Sequence, residues 1–214
     1  VLKALVLEGR VVTVDALLTQ RNVAAAIVEQ GGDYVMVVKG NQPNLQTDIA
    51  TVFDCVPTPK EHRATATTLD PDHGRIERRT LTSSDVLEGY SDWPGMKQVF
   101  VLHRRVIIKK TGEVREECVR GITSLSRERA GPHELLCYCR GHWAIENRSH
   151  WVRDVTFDED RSQVRSGNLP KVMAALRTTV IGLMRLKSEP SIATATRRLA
   201  AQPHACLAYL GLPV

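Results

Sequence analysis

The chain has 214 residues, 43% hydrophobic and 25% charged, which suffices for one or two globular domains with a sizeable core. It contains no run of about 18 apolar residues and no basic-then-apolar start, so a membrane span or secretory leader is not expected and the cytoplasm is the expected compartment. A net charge of +5 and a pI near 9.1 favour a polyanionic partner without singling one out, and five scattered cysteines form no disulfide framework.

Taken in order, Val1–Leu7 reads as the end of an apolar-faced helix stopped at Glu8-Gly9, so the chain is expected to continue upstream. Val11–Val14 is a short β-branched run that reads as a buried strand ending at Asp15. Thr19 can cap the next helix, in which Val23, Ala24, Ile27 and Val28 recur at helical spacing before Gly31-Gly32 ends it. Tyr34–Val38 is a second continuous apolar strand, closed by Lys39-Gly-Asn-Gln42, and a helix follows from about Pro43 to Phe53. Apolar strands alternating with helices argue for parallel pairing through a right-handed crossover.

From about Pro57 the pattern changes to alternating strands. Arg63–Leu69 and Arg75–Thr82 read as one hairpin with a wet face, Val99–Lys109 and Val114–Ile122 as a second. The remainder is helical, over Pro132–Val155, Leu169–Lys187 and two short helices between Ser191 and Tyr209. The plan is an α/β core interrupted by a β-rich block.

Two acids stand out. Asp15 follows a strand at its carboxyl end, where open α/β sheets bind ligands; it serves equally as a cap for the turn that follows. In helical register His142, Glu146, Ser149, His150 and Arg153 share one stripe. Spacing alone favours a solvated face for that stripe, while an acid flanked by cations on a rigid helix also suits a metal ligand that meets phosphates. Cys137-x-Cys139 beside His142 matches no zinc spacing. Trp93 and Trp143 read first as core, with stacking on an extruded base as the alternative. Asp158, Glu159 and Asp160 beside Arg161 and Arg165 read as a salt-bridged helix start.

Several segments, in order and over nearly the whole chain, resemble the ISAs1 family of insertion-sequence transposases with its H-repeat-associated proteins. They are Val12-Thr-Val-Asp15-Ala-x-x-x-Gln20, Asp33-Tyr-Val35 with Lys39-Gly-Asn-Gln42, His73-Gly-Arg-Ile-Glu77-x-Arg79, His142-Trp-x-Ile-Glu-Asn147 with His150-Trp-Val152, Asp154-Val-Thr-Phe157-x-Glu-Asp160 and Arg165-Ser-Gly-Asn168. The resemblance implies an α/β, RNase H-like DDE fold: part of the core over 1–56, a β-rich insertion over 57–126 before the last catalytic helix, and the helical C-terminal part of the catalytic core over 127–214. Its first strands, with the first acid, are then expected upstream of Val1. It further implies that Asp15 and Glu146 are catalytic acids and metal ligands for Mg²⁺ or Mn²⁺, with two ions in the complete site.

On this template the partners are DNA, as element ends and target, and further copies of the chain in synapsis. Lys39, Asn41, Gln42, His73, Arg75, Arg79, His142, His150 and Arg153 are the candidate DNA contacts. Related transposases place Tyr and Arg seven and four positions before the Glu and Lys seven after it; here those positions hold Cys139, His142 and Arg153, with Tyr138 and Arg140 alongside. An inactive remnant that at most binds DNA is the alternative, as is a structure-selective nuclease on the same fold.

Overall fold

The computed structural model describes residues 5–55, 59–71, 74–145 and 150–211, with only the backbone described at 144 and 145. It divides into two compact units, Val1–His142 and Trp143–Val214.

The first unit is built on a six-stranded sheet: β1 (Val11–Val14), β2 (Asp33–Val38), β3 (Arg63–Asp70), β4 (Arg75–Ser84), β5 (Gln98–Ile108) and β6 (Val114–Thr123), in spatial order β1-β2-β6-β5-β4-β3. β1 and β2 are parallel, with Val14 opposite Met36, and every other neighbouring pair is antiparallel. Helix α1 (Arg21–Val28) makes the crossover between the parallel strands, and α2 (Pro43–Ala50) follows β2. The continuous apolar run of β2 reflects a strand paired on both edges and covered on both faces.

β1 ends the strand order among the described residues, so only Val14 of its four residues is fully buried, where the sequence suggested a buried strand. Thr19 does not cap α1; Gln20 holds that position without a side-chain bond. Residues 5–7 are not helical; of the expected long helix at Pro132–Val155, the described residues carry α3 (Pro132–Ile145) and a π turn at Val152–Thr156.

One face of the sheet packs Val14, Met36, Val38, Val99 and Ile122 against Ala24 and Ile27 of α1 and Leu45 and Ile49 of α2. Burying side chains of this size stabilises by about 1.5–3 kcal/mol each. The 85–97 segment closes the cluster with Leu87, Trp93 and Met96, and Tyr34 Oη donates to the Pro94 carbonyl at 2.9 Å. On β6, Gly121 leaves room for the buried Phe100 ring; a Cβ there would overlap that ring and lie 2.6 Å from the Met36 carbonyl oxygen. The wet face of the first hairpin carries Thr65–Thr82 and Thr67–Thr80 hydroxyl pairs, 3.0 and 3.1 Å apart.

In the second unit α4 (Leu169–Leu186), α5 (Ile192–Ala201) and α6 (Pro203–Tyr209) share a small core of Met184, Ala195 and Leu199. The Ser191 hydroxyl caps α5 by accepting from Thr194 N. No helix among the described residues is long and apolar enough to cross a membrane.

Candidate active site

Asp15 leaves β1 with extended backbone (φ −74, ψ 162) and starts a 3-10 turn, Ala16–Leu18. Its Oδ1 accepts from Ala16 N at 2.6 Å, and the side chain is exposed; the other oxygen has no protein donor among the described residues. One oxygen therefore caps the turn, and the exposed carboxylate stands at the carboxyl end of the parallel strand β1.

Three polar side chains hold this turn from behind. The Thr19 hydroxyl, fully buried, donates to the Val37 carbonyl at 2.6 Å and ties the turn to β2. Asn41 Nδ2 donates to the Ala16 carbonyl at 2.6 Å, and Gln42 Nε2 to the Thr19 carbonyl at 3.1 Å. The Lys39-Gly-Asn-Gln42 segment thus folds back onto the Asp15 turn, leaving Lys39 exposed. His142, on α3, docks on the same strand: its Nδ1 lies 3.1 Å from Thr13 Oγ1. Thr13 precedes Asp15 by two residues and so points to the same face of β1.

Arg75 and Arg79 stand elsewhere, on β4, four strands from β1 in the sheet order. Arg79 is 8% exposed; its guanidinium donates to Asp70 Oδ2 at 2.6 Å and is ion-paired with Glu77 Oε1 at 2.8 Å. Glu77, only 2% exposed, also accepts from Arg104 Nε, and Arg75 approaches it at 3.7 Å. Asp70 is shared with Arg140 of α3 at 3.1 Å. For Arg79, a candidate DNA contact, reaching a phosphate would require breaking a buried ion pair, which costs more than an exposed contact returns. The alternating sequence of β4 could not reveal this, because burial here comes from neighbouring strands and α3.

In the second unit His150 is exposed, and Arg153 holds Glu159 through two bonds of 2.5 and 2.9 Å, with Arg177 as a further partner of Glu159 at 3.4 Å. The hydrogen bond from Arg153, with Arg177 nearby, keeps the Glu159 carboxyl below its ordinary range. The acidic knot is thus salt-bridged, with Glu159 as its centre. His73 and Glu146 lie outside the described residues. Trp93 is 4% exposed and belongs to the core. Burial pushes the Cys139 thiol up to about 12, so in the metal-free protein it is a neutral thiol at neutral pH.

Among the described residues no three His, Cys, Asp or Glu side chains converge on one point as a metal cluster. Asp15 has what a hard divalent cation needs of one ligand: an exposed carboxylate, with one oxygen fixed by the backbone.

Comparison with known proteins bears on this arrangement. The family described as "Transposase DDE domain" matches residues 1–183. Two Escherichia coli K12 proteins, YbfL and the "H repeat-associated putative transposase YhhI", are each 30% identical over 188 residues, covering 86% of this chain and 49% of their own length. YncI of Escherichia coli O157:H7 is 27% identical over 191 residues, 86% of this chain and 48% of its own. The chain spans about half the length of the curated relatives it matches.

Proposed function

This chain belongs to the transposase DDE domain family, and from that premise we propose that it forms part of the catalytic domain of an insertion-sequence transposase that cleaves DNA and transfers strands. The observation that carries the proposal is the Asp15 turn. It presents an exposed carboxylate at the carboxyl end of a parallel strand, clamped by Thr19, Asn41 and Gln42, with His142 of α3 docked two residues away on Thr13. Glu146, four residues after His142 in sequence, is the second acid of the proposed site.

The parallel β1–β2 pair supports an RNase H-like core over 1–56, and the antiparallel strands β3 to β6 support a β-rich insertion over 57–126 that extends the sheet. Divalent ions, Mg²⁺ or Mn²⁺, when bound, supply activation of water and charge stabilisation at the entering and leaving oxygens. The chain's own residues do the rest. Asp15 offers one carboxylate oxygen while Ala16 N holds the other, so the acid needs no reorganisation on binding. Lys39, exposed beside the turn, and Arg75, nearly half exposed on β4, can reach DNA phosphates. Asn41 and Gln42 act behind the acid, through the carbonyls they hold. Two DNA ends brought together imply at least two copies of the protein.

Nicking of supercoiled plasmid by the purified protein in Mg²⁺ or Mn²⁺ is the test. Cleavage that falls at least a hundredfold in Asp15→Asn and in Glu146→Gln supports the reading. Cleavage that persists in both variants overturns the residue assignment, and DNA binding with no cleavage under any metal identifies an inactive remnant.

A further inference from the structure

The two acids of the proposed site come from elements that lie far apart in the chain: Asp15 follows β1, and Glu146 is the next residue in sequence after α3. Ligands of a shared metal site must stand within about 0.5 Å of their working positions, so α3 has to be fixed against β1. Burial of Leu135, Leu136 and Cys139 holds α3 to the fold, but the hydrophobic effect is non-directional. Arg140 pairs with Asp70 of β3 at 3.1 Å, with both side chains more than a third exposed, which makes it a weak constraint.

A direct bond joins α3 to the strand of Asp15. His142 Nδ1 lies 3.1 Å from Thr13 Oγ1, between two half-buried side chains 129 positions apart in sequence. Either atom can donate, so the bond forms with either neutral tautomer of the imidazole, and unlike burial it weakens steeply when misaligned. Thr13 is itself fixed, opposite Val35 in the parallel ladder of β1 and β2. Thr19, Asn41 and Gln42 hold the Asp15 turn to β2 and the loop after it. His142 supplies the constraint from α3, committing a ring nitrogen to β1 that a phosphate contact would need free. We propose that His142 and Thr13 are a positioning pair: their bond sets the place of α3, and of the chain leading to Glu146, relative to Asp15, and so the geometry in which the two acids meet a divalent ion. The proposal rests on the reading of Asp15 and Glu146 as acids of one site.

The experiment titrates the protein with Mn²⁺, reading free ion by electron paramagnetic resonance, and measures plasmid nicking alongside. The binding that Asp15→Asn removes identifies the ion at the site. Thr13→Val keeps the β-branched shape that suits a strand and removes only the hydroxyl, so it tests the bond without endangering the fold; His142→Leu removes the bond from the other side. Each is expected to weaken the Asp15-dependent Mn²⁺ binding about tenfold, the order by which residues supporting metal ligands act, and nicking should fall with it. The double variant should bind no more weakly than either single one, while Thr13→Ser and His142→Asn, which keep a hydrogen-bonding atom in place, should match the parent. An Mn²⁺ affinity unchanged in Thr13→Val, or losses that multiply in the double variant, overturns the pair and leaves the transposase reading standing. So does a His142→Leu variant that loses DNA affinity with Mn²⁺ binding intact, which makes His142 a DNA contact. Absence of Mn²⁺ binding that depends on Asp15 overturns both.

Discussion

Truncating Glu77 to Ala tests whether the His73-Gly-Arg-Ile-Glu77-x-Arg79 segment serves the interior or the DNA. The Glu77 side chain is 3% exposed, and its Oε1 pairs with Arg79 Nη2 at 2.8 Å and accepts from Arg104 Nε. Removing it takes one acidic partner from the Arg79 guanidinium, 9% exposed, while the pair with Asp70 remains. Breaking a buried pair in this way costs about 3–5 kcal/mol. The lower end applies, because Arg104 is 29% exposed and can rehydrate. Urea denaturation followed by the fluorescence of Trp93, in a background where Trp143 and Trp151 are replaced by Phe, should show the midpoint falling by about 1–3 M. In the same background Arg79→Ala should leave the salt dependence of DNA binding unchanged. If Arg79 met a phosphate, the slope of log affinity against log salt would drop by about 0.9. A Glu77→Ala midpoint within about 0.2 M of the parent, or an altered slope for Arg79→Ala, would refute the buried network.

Asn41→Ala removes a donor to the carbonyl of Ala16, itself buried, and should cost about 1–2 kcal/mol by the same denaturation assay. Asn41→Asp should be worse than Ala, because a carboxylate sets an acceptor against that carbonyl; equal stability of Asp and Asn would exclude the clamp. Gly121→Ala forces a methyl against the fully buried Phe100 ring and the Met36 carbonyl, and should destabilise by about 3 kcal/mol, with calorimetry showing a lower Tm. A Tm within a degree of the parent would disprove the close packing there. Burial acts to raise the Asp85 carboxyl, but hydrogen bonds and charge from His62 and Arg127 outweigh it and hold it below its ordinary value of 3.8. Its contribution to stability is therefore complete above that value and is lost as pH falls through the lower folded value. Acid titration of Asp85→Asn should show a shallower loss of stability below about pH 4 than the parent, and superimposable curves would count against the pairing.

Much of the fold was legible because its signals are local. The β-branched run Val11–Val14, the apolar run Tyr34–Val38 and the alternation of Arg63–Leu69 and Arg75–Thr82 each specify a strand through period and side-chain shape, and the corresponding strands β1 to β4 lie there. The sequence likewise placed Asp15 at a strand end, since that needs only the position of one acid after one strand. The partners of these elements were decided by the tertiary structure. Nothing local says that β6 lies antiparallel beside β2, or that Arg79 is enclosed by Asp70, Glu77 and a neighbouring strand while Arg75, four residues earlier, stays wet. Asn41 and Gln42 read as a polar loop in isolation; only the return of that loop onto Ala16 and Thr19 makes them a clamp. The physical reason is common to all of these. Strand and helix formation depends on neighbours within about four positions in the chain, whereas burial, ion pairing and the satisfaction of a carbonyl depend on groups that sequence distance leaves far apart and folding brings together.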